Sequence, residues 1–105
     1  MDKSYEVRKS NIHGNGLFST QQRARNDIIG VAVERRNGVL DVTQDIGIWV
    51  NHSELRPNVG MTRCMDEWCL YALRDIFAGE ELVANYYDAP PFIKRPEDYG
   101  GGFKP

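Results

Sequence analysis

A run of ten residues in the middle of the chain, from Trp49 to Asn58, constrains the fold most, because it suits neither a regular helix nor a regular strand. Asn51, Ser53 and the residue before Pro57 favour turn or extended backbone over helix. Pro57 cannot donate a hydrogen bond to a strand ladder. We therefore expect an irregular, polar and partly buried segment whose backbone groups are paired by other parts of the chain. Such a segment either braces the fold or holds a ligand.

Length and composition predict one domain of ordinary globular character, since the chain has 105 residues, of which 41% are hydrophobic and 27% are charged. No apolar run approaches the length of a membrane span. The net charge of −2 and the lack of a basic cluster argue against nucleic acid as a direct partner. No apolar signal segment follows Met1, and two cysteines make no disulfide framework, so we expect an intracellular protein, cytoplasmic or nuclear, rather than a secreted one.

The residue pattern outside this run predicts a mainly β chain with short strands, many turns and little helix. The predicted strands cover residues 5–9, 28–33, 39–42, 59–64, 68–76 and 81–87, with a further strand that starts at Leu17. Turn residues separate them, as in Arg36-Asn37-Gly38. Trp49 and Trp68 are assigned to the core. From residue 89 the chain is rich in Pro, Gly and aromatic residues and has no regular pattern.

Four motifs occur in order along the chain: Gly14-Asn15-Gly16-Leu17-Phe18, then Asn51-His52-Ser53 with Pro57-Asn58, then Arg74-Asp75-Ile76 with Ala78-Gly79-Glu80-Glu81-Leu82, then Asn85-Tyr86. Each motif is weak alone, whereas the ordered combination is specific. Together they resemble the SET domain of protein-lysine methyltransferases, in particular the minimal single-domain SET proteins of viruses and bacteria. The resemblance covers roughly residues 5–88.

The resemblance implies a β-clip fold of short, curled sheets with a C-terminal pseudoknot, in which the Asn-His-Ser segment and the last tyrosine-bearing strand cross. That crossing is an exception to the general avoidance of threaded chains. Residues 1–88 would form the SET core. Residues 89–105 would form a C-terminal tail, which either packs over the cofactor or peptide groove or stays flexible.

The resemblance also implies a reaction, the transfer of a methyl group from S-adenosylmethionine to a lysine side chain, which leaves S-adenosylhomocysteine. The lysine nitrogen, the methyl carbon and the sulfonium sulfur must lie in line, so positioning supplies much of the catalysis. The amine must be neutral to attack, and a narrow apolar channel lowers its pKa by desolvation. The substrate would be a lysine of a basic peptide or protein, such as a histone tail.

By the same resemblance, Tyr86 is the catalytic tyrosine that orients the amine and the methyl group, and Tyr86 and Tyr87 line the substrate channel. Read without the resemblance, Tyr86 is an ordinary core tyrosine at a strand end. Tyr71 is expected to pack in the core.

Five residues of two motifs would bind the cofactor. The Asn51 side chain would contact its methionine part, and His52 would offer backbone groups to the adenine. The loop formed by Gly14, Asn15 and Gly16 would lay its backbone along the cofactor. The alternative for His52 is a buried structural histidine, and the alternative for the glycine motif is an ordinary hairpin turn. The predicted set is Gly14, Asn15, Gly16, Asn51 and His52.

Three departures from the family pattern keep other functions open. Residues 20–50 contain no tyrosine, so the Tyr-x-Gly motif of many SET proteins is missing. The spacing from Ser53 to Pro57 is one residue longer than usual, and no zinc-binding cysteine segment follows. Cys64 and Cys69 lack ligand-pair spacing, and we predict no metal site.

The main alternative is a non-catalytic SET-like module that binds a peptide or a partner, and the other is an unrelated all-β domain that matches by chance. A chain this short has little surface with which to wall both a cofactor cleft and a peptide groove. The minimal viral SET proteins that the chain resembles are dimers, so the resemblance implies a homodimer.

Overall fold

The computed structural model describes residues 4–89, and the account below concerns that part of the chain. Its strands are β1 (Tyr5–Lys9), β2 (Asn15–Ser19), β3 (Ile28–Arg36), β4 (Val39–Val42), β5 (Asn51–His52), β6 (Val59–Cys64), β7 (Glu67–Ala72) and β8 (Glu81–Ala84). The helical elements among these residues are two 3-10 turns, Gly47–Trp49 and Tyr86–Asp88. The prediction of a mainly β fold with little helix is confirmed. The predicted tail lies, from residue 90 onward, outside the described residues. No helix in the described range is long and apolar enough to cross a membrane.

The last strand of the sheet, β8, lies in its middle. The strand order is β1-β2-β8-β6-β7-β3-β4. β8 pairs antiparallel with β2 and parallel with β6, and β5 adds a further parallel pairing with β8. Parallel pairing requires a crossover in the chain, and here it joins strands that are far apart in sequence. As a result the glycine motif, the central polar run and the C-terminal motif all meet at one strand.

Several strand predictions are confirmed in their bounds. β1, β4 and β6 begin and end at the predicted residues, and β1 is an edge strand of the sheet. β3 continues to Arg36, three residues beyond the predicted end, because it stays paired with β4 up to a two-residue turn. Both turn residues, Asn37 and Gly38, have positive φ (51° and 80°), as Asn-Gly hairpin turns require.

The strand predicted over residues 68–76 is shorter in the structure and ends at Ala72. Its two neighbours start opposite this end, since Ile28 of β3 pairs with Tyr71 and Val59 of β6 pairs with Ala72. No ladder therefore remains beyond that point, and Ile76 makes only an isolated bridge with Arg23.

The strand predicted over residues 81–87 is also shorter and ends at Ala84. The Asn85 side chain accepts a hydrogen bond from the Tyr87 N–H at 3.0 Å, as an N-cap residue does. This bond turns the chain into the Tyr86–Asp88 3-10 turn. The prediction missed that Asn85 acts as a cap.

The hydrophobic core is small and continuous, and it packs beneath the middle of the sheet. Complete burial of one large aliphatic side chain contributes about 1.5–3 kcal/mol relative to exposure. The buried cluster consists of Leu17, Ile29, Ala32, Ile46, Val50, Val59, Leu70, Ala72, Ile76, Leu82 and Ala84.

The central polar run is buried more deeply than the sequence predicted. Asn51, His52, Ser53 and Asn58 are each at most 5% exposed. The first two form β5, so the expectation of a wholly irregular and partly buried segment is wrong for them. Residues 53–58 are irregular, as predicted.

Asn58 pairs with β8 through both its side chain and its backbone. Its Nδ2 donates to the Glu81 carbonyl and its Oδ1 accepts from the Val83 N–H, both at 2.8 Å. Its own N–H donates to the Val83 carbonyl at 2.9 Å. The side-chain amide thus takes the place of a strand neighbour, which explains how a segment that ends in Pro-Asn can lie inside the fold.

We expect Asn58→Ala to lower the free energy of unfolding strongly. It leaves the buried Val83 N–H and the Glu81 carbonyl without their partner, at about 1–3 kcal/mol for each unsatisfied group. Urea unfolding measures the loss, with Asn11→Ala, an exposed loop position, as the matched control. Equal stability of the two variants would contradict the assigned role of Asn58.

Candidate functional site

A cleft of about 320 Å³ lies where the glycine motif, the central polar run and the C-terminal turn meet. Four of the residues predicted to bind cofactor or catalyse line it, although they are far apart in sequence: Gly14, Asn15, Asn51 and Tyr86. The volume is at the lower end of the range of about 300–1,000 Å³ that is usual for small-molecule sites. The other lining residues are His13, Val42, Gly47, Ile48, Trp49, Val50 and Met61.

Asn51 connects the glycine motif to β8 through its side-chain amide. Its Nδ2 donates to the His13 carbonyl at 3.0 Å, to the Asn15 carbonyl at 3.3 Å and to Glu81 Oε2 at 2.8 Å. All three partners are acceptors, so the nitrogen must face them and the amide orientation follows from the network. Asn51 also lines the cleft, and its Oδ1 is therefore the atom that it can offer to a ligand, as a hydrogen-bond acceptor.

The glycine motif is held in a closed loop beside Asn51. The Ser10 N–H donates to the Gly14 carbonyl at 2.8 Å, which closes residues 10–14 into a turn. Gly16 lies behind this turn, and a Cβ there would come within 2.2 Å of Glu81 Oε2. Gly16 therefore leaves room for the Glu81 carboxylate in its present position, and it is Gly14 and Asn15 that border the cleft.

Tyr86 is buried, and its hydroxyl donates to the Val50 carbonyl. Both residues line the cleft. A tyrosine hydroxyl that donates one hydrogen bond still has lone pairs with which to accept another. Tyr86 Oη and the Val50 carbonyl thus form a pair of acceptors at which an N–H of an amine could bind.

His52 contacts Tyr86 and is not among the residues that line the cleft. Its Nδ1 accepts a hydrogen bond from the Tyr86 N–H at 3.1 Å, and its ring centroid lies 5.0 Å from that of Tyr86. Nδ1 must therefore be unprotonated. Tyr87 contacts the same imidazole edge-on at 5.7 Å, is 46% exposed and also lies outside the cleft lining. The imidazole thus holds the turn that carries Tyr86.

The apolar wall of the cleft was not predicted from the sequence. Trp49 was assigned to the core, but it is only partly buried and borders the cleft beside Ile48. Thr43 positions this turn, since its Oγ1 accepts from the Gly47 N–H at 2.8 Å and donates to the Val31 carbonyl at 2.8 Å. The one sequence signal for this wall is the apolar run Ile48-Trp49-Val50 directly before the Asn-His-Ser motif.

A second, smaller cavity of about 140 Å³ contains Tyr71 and Leu73, and Met61 borders both cavities. None of the predicted catalytic or cofactor-binding residues lines it. We therefore take the larger cleft as the candidate functional site.

Cysteine chemistry is absent from this cleft, since neither Cys64 nor Cys69 lines it. Both are free thiols, and burial, together with a hydrogen bond to Cys64, raises the pKa of the Cys69 thiol to about 11. Cys69 is therefore protonated at neutral pH. Within residues 4–89, no group of three His, Cys, Asp or Glu side chains is placed to hold a metal ion.

Comparisons with known proteins bear on the family and the fold of the chain. The SET domain family model matches residues 37–87, which include the Asn-His-Ser motif and Tyr86. A solved structure of a proposed histone methyltransferase from Plasmodium falciparum is similar, with a TM-score of 0.63 over 82% of this chain and 95% of that one. The chain is a SET-domain protein. At 22% identity this structural similarity shows the fold of the SET domain alone. No curated protein matches the chain.

In this SET domain we expect His52→Phe to detach Tyr86 from its place. Phenylalanine keeps a ring but offers no acceptor, and the buried Tyr86 N–H then loses a partner at a cost of about 1–3 kcal/mol. His52→Asn is the matched control, because an amide oxygen can accept in place of Nδ1. Amide hydrogen exchange at Tyr86 should accelerate in the phenylalanine variant and much less in the asparagine variant. Unchanged protection in His52→Phe would contradict the role of Nδ1.

Proposed function

We propose that this SET domain is a protein-lysine N-methyltransferase that moves a methyl group from S-adenosylmethionine to a lysine side chain and leaves S-adenosylhomocysteine. The observation that carries the proposal is the cleft in which Gly14, Asn15, Asn51 and Tyr86 meet. The domain family supports it, since SET domains are generally lysine methyltransferases.

The residues of the cleft fit S-adenosylmethionine, which supplies an activated, cationic methyl group when bound. The atoms that Asn51 and the glycine motif can offer are acceptors and backbone groups, and these suit the ammonium of the methionine part. Asn51 Oδ1 is the acceptor left after its Nδ2 is fully used by the protein. Gly14 and Asn15 would follow the cofactor with their backbone, Gly16 would allow the close packing behind them, and His52 would contribute backbone groups.

The apolar wall would prepare the lysine for reaction. The wall consists of Val42, Ile48, Trp49, Val50 and Met61. Because these residues would solvate an ammonium poorly, they would lower the pKa of the lysine amine and favour its neutral, nucleophilic form. The Trp49 ring can also contact the lysine stem or a methylated ammonium. These side chains would perform the role for which many SET proteins use the missing Tyr-x-Gly motif.

Tyr86 would position the amine. Its hydroxyl donates to the Val50 carbonyl, so its lone pairs can accept an N–H of the lysine and aim the nitrogen lone pair at the methyl group. Tyr87 would lie at the mouth of the channel, as an exposed neighbour of the same turn.

The proposed substrate is a basic, lysine-containing peptide or protein such as a histone tail. The name of the similar Plasmodium falciparum structure supports this class. A histone-like substrate and two free cysteines suit an intracellular setting, cytoplasmic or nuclear. The homodimer stays a prediction, and sedimentation of the full chain would measure its oligomeric state. The division into a core (1–88) and a tail (89–105) also stays a prediction.

The second candidate function is a non-catalytic module that binds a peptide or partner in the same cleft. It is favoured by the absence of tyrosine from residues 20–50, which leaves Ile48 and Trp49 as the substrate-side wall. Peptide binding that is indifferent to S-adenosylmethionine, with no methyl transfer to any lysine peptide, would select this function over the enzyme.

Tyr86→Phe tests the enzyme directly. We expect methyl transfer to a basic lysine peptide to fall about 10²–10³-fold, the usual cost of one positioned donor or acceptor at a reacting centre. The affinity for S-adenosylmethionine, measured by calorimetry, should change less than about threefold, because the ring still packs against His52.

Tyr5→Phe is the matched control, because it also removes a bonded hydroxyl, the one that donates to Asp45 at 2.9 Å, at a residue outside the cleft lining. This variant should keep wild-type turnover. An equal loss of turnover and cofactor affinity in Tyr86→Phe would mean that Tyr86 is structural, and full activity would refute the assignment.

A further inference from the structure

We propose that Glu81 is a positioning residue for the methionine end of the cofactor, acting through Asn51, the glycine motif and its own negative charge. The proposal rests on the proposed function of the cleft. Glu81 belongs to the Gly-Glu-Glu-Leu sequence but does not line the cleft. Its carboxylate accepts a hydrogen bond from Asn51, which does line the cleft.

The carboxylate joins three segments of the chain. Ser10 Oγ lies 2.8 Å from both Glu81 oxygens, and Asn51 Nδ2 donates to Oε2 at 2.8 Å. Gly16 packs so closely against the carboxylate that a Cβ there would displace it. Because Asn51 Nδ2 is held in this way, its Oδ1 is left for a ligand.

Ser10 extends this network into the glycine motif. Its Oγ accepts from the Ile12 N–H at 2.9 Å while it donates to Glu81, and its own N–H closes the loop on the Gly14 carbonyl. The position of the loop that borders the cleft therefore depends on Glu81 as an acceptor. Glutamine at this place would turn one of the two acceptor oxygens into a donor.

The charge of Glu81 is not neutralised by a cation within residues 4–89, where its hydrogen-bond partners are a hydroxyl and an amide. The preceding Glu80 differs, since it pairs with Arg74 at 3.3 Å and accepts from the Phe77 N–H. A partly buried carboxylate one side chain behind a cleft favours a cationic ligand there. S-adenosylmethionine carries an ammonium, a sulfonium and a carboxylate, S-adenosylhomocysteine lacks the sulfonium, and adenosine carries none of these charges.

Comparing the affinities for these three ligands distinguishes a positioning role of Glu81 from a merely structural one. The affinities are measured by calorimetry of the full chain. Glu81→Gln should lower the affinity for S-adenosylmethionine about tenfold, the affinity for S-adenosylhomocysteine less, and the affinity for adenosine less than about twofold, as the loss of one charge interaction predicts. Glu80→Gln is the matched control, because it removes a carboxylate from the adjacent residue, and it should leave all three affinities within about twofold.

Unchanged affinities in Glu81→Gln, or an equal loss for all three ligands including adenosine, would overturn this inference while the proposed function stands. No binding of any of the three to the wild-type chain would overturn the proposed function and the inference together. If Glu81→Gln does not fold, Ser10→Ala decides the matter, because it keeps the charge and removes the hydroxyl that ties the loop to it. This variant should lower the affinities for S-adenosylmethionine and S-adenosylhomocysteine equally, by a few fold, and leave the affinity for adenosine unchanged. Unchanged affinity for S-adenosylmethionine would overturn the inference.

Discussion

The hydrogen bonds between buried amide side chains and β8 hold the rest of this structure in place. Asn58 pairs with the backbone of β8, and Asn51 pairs with Glu81 at its first residue. A segment with such polar residues would be costly to bury if its groups had no partners. Because each amide finds partners of the right kind, the segment from Asn51 to Asn58 can lie in the interior and join β2, β5, β6 and β8 at one place.

The same bonds create the candidate site. Asn51 uses its nitrogen to hold the glycine motif and keeps its oxygen for the cleft. His52 accepts from the Tyr86 backbone and leaves the tyrosine hydroxyl directed at the Val50 carbonyl. Groups that stabilise the fold therefore also position those that face the cleft. This coupling means that a variant of the polar segment has to be tested for stability and for function separately.

Local signals in the sequence were sufficient for the turn at Asn37-Gly38 and for the strand that follows it, whereas the preceding strand runs three residues further than predicted. They were insufficient where a strand ends because its neighbours end, as at Ala72, since that depends on pairing between distant residues. Motif order located Gly14, Asn15, Asn51 and Tyr86, which the fold brings to one cleft. It did not reveal the apolar wall with Trp49, nor Glu81, because both depend on which segments the sheet order brings together.

The most direct test of the account is a map of where the cofactor product binds. In an NMR titration of the ¹⁵N-labelled chain, S-adenosylhomocysteine should shift the amide signals of Gly14, Asn15 and Asn51, together with the Asn51 side-chain amide. The signals of Asn37 and Gly38, at the tip of the distant hairpin, should stay in place. Shifts confined to the smaller cavity around Tyr71 and Leu73, or no shifts at millimolar ligand, would contradict the claim that the polar segment and β8 together build a cofactor site.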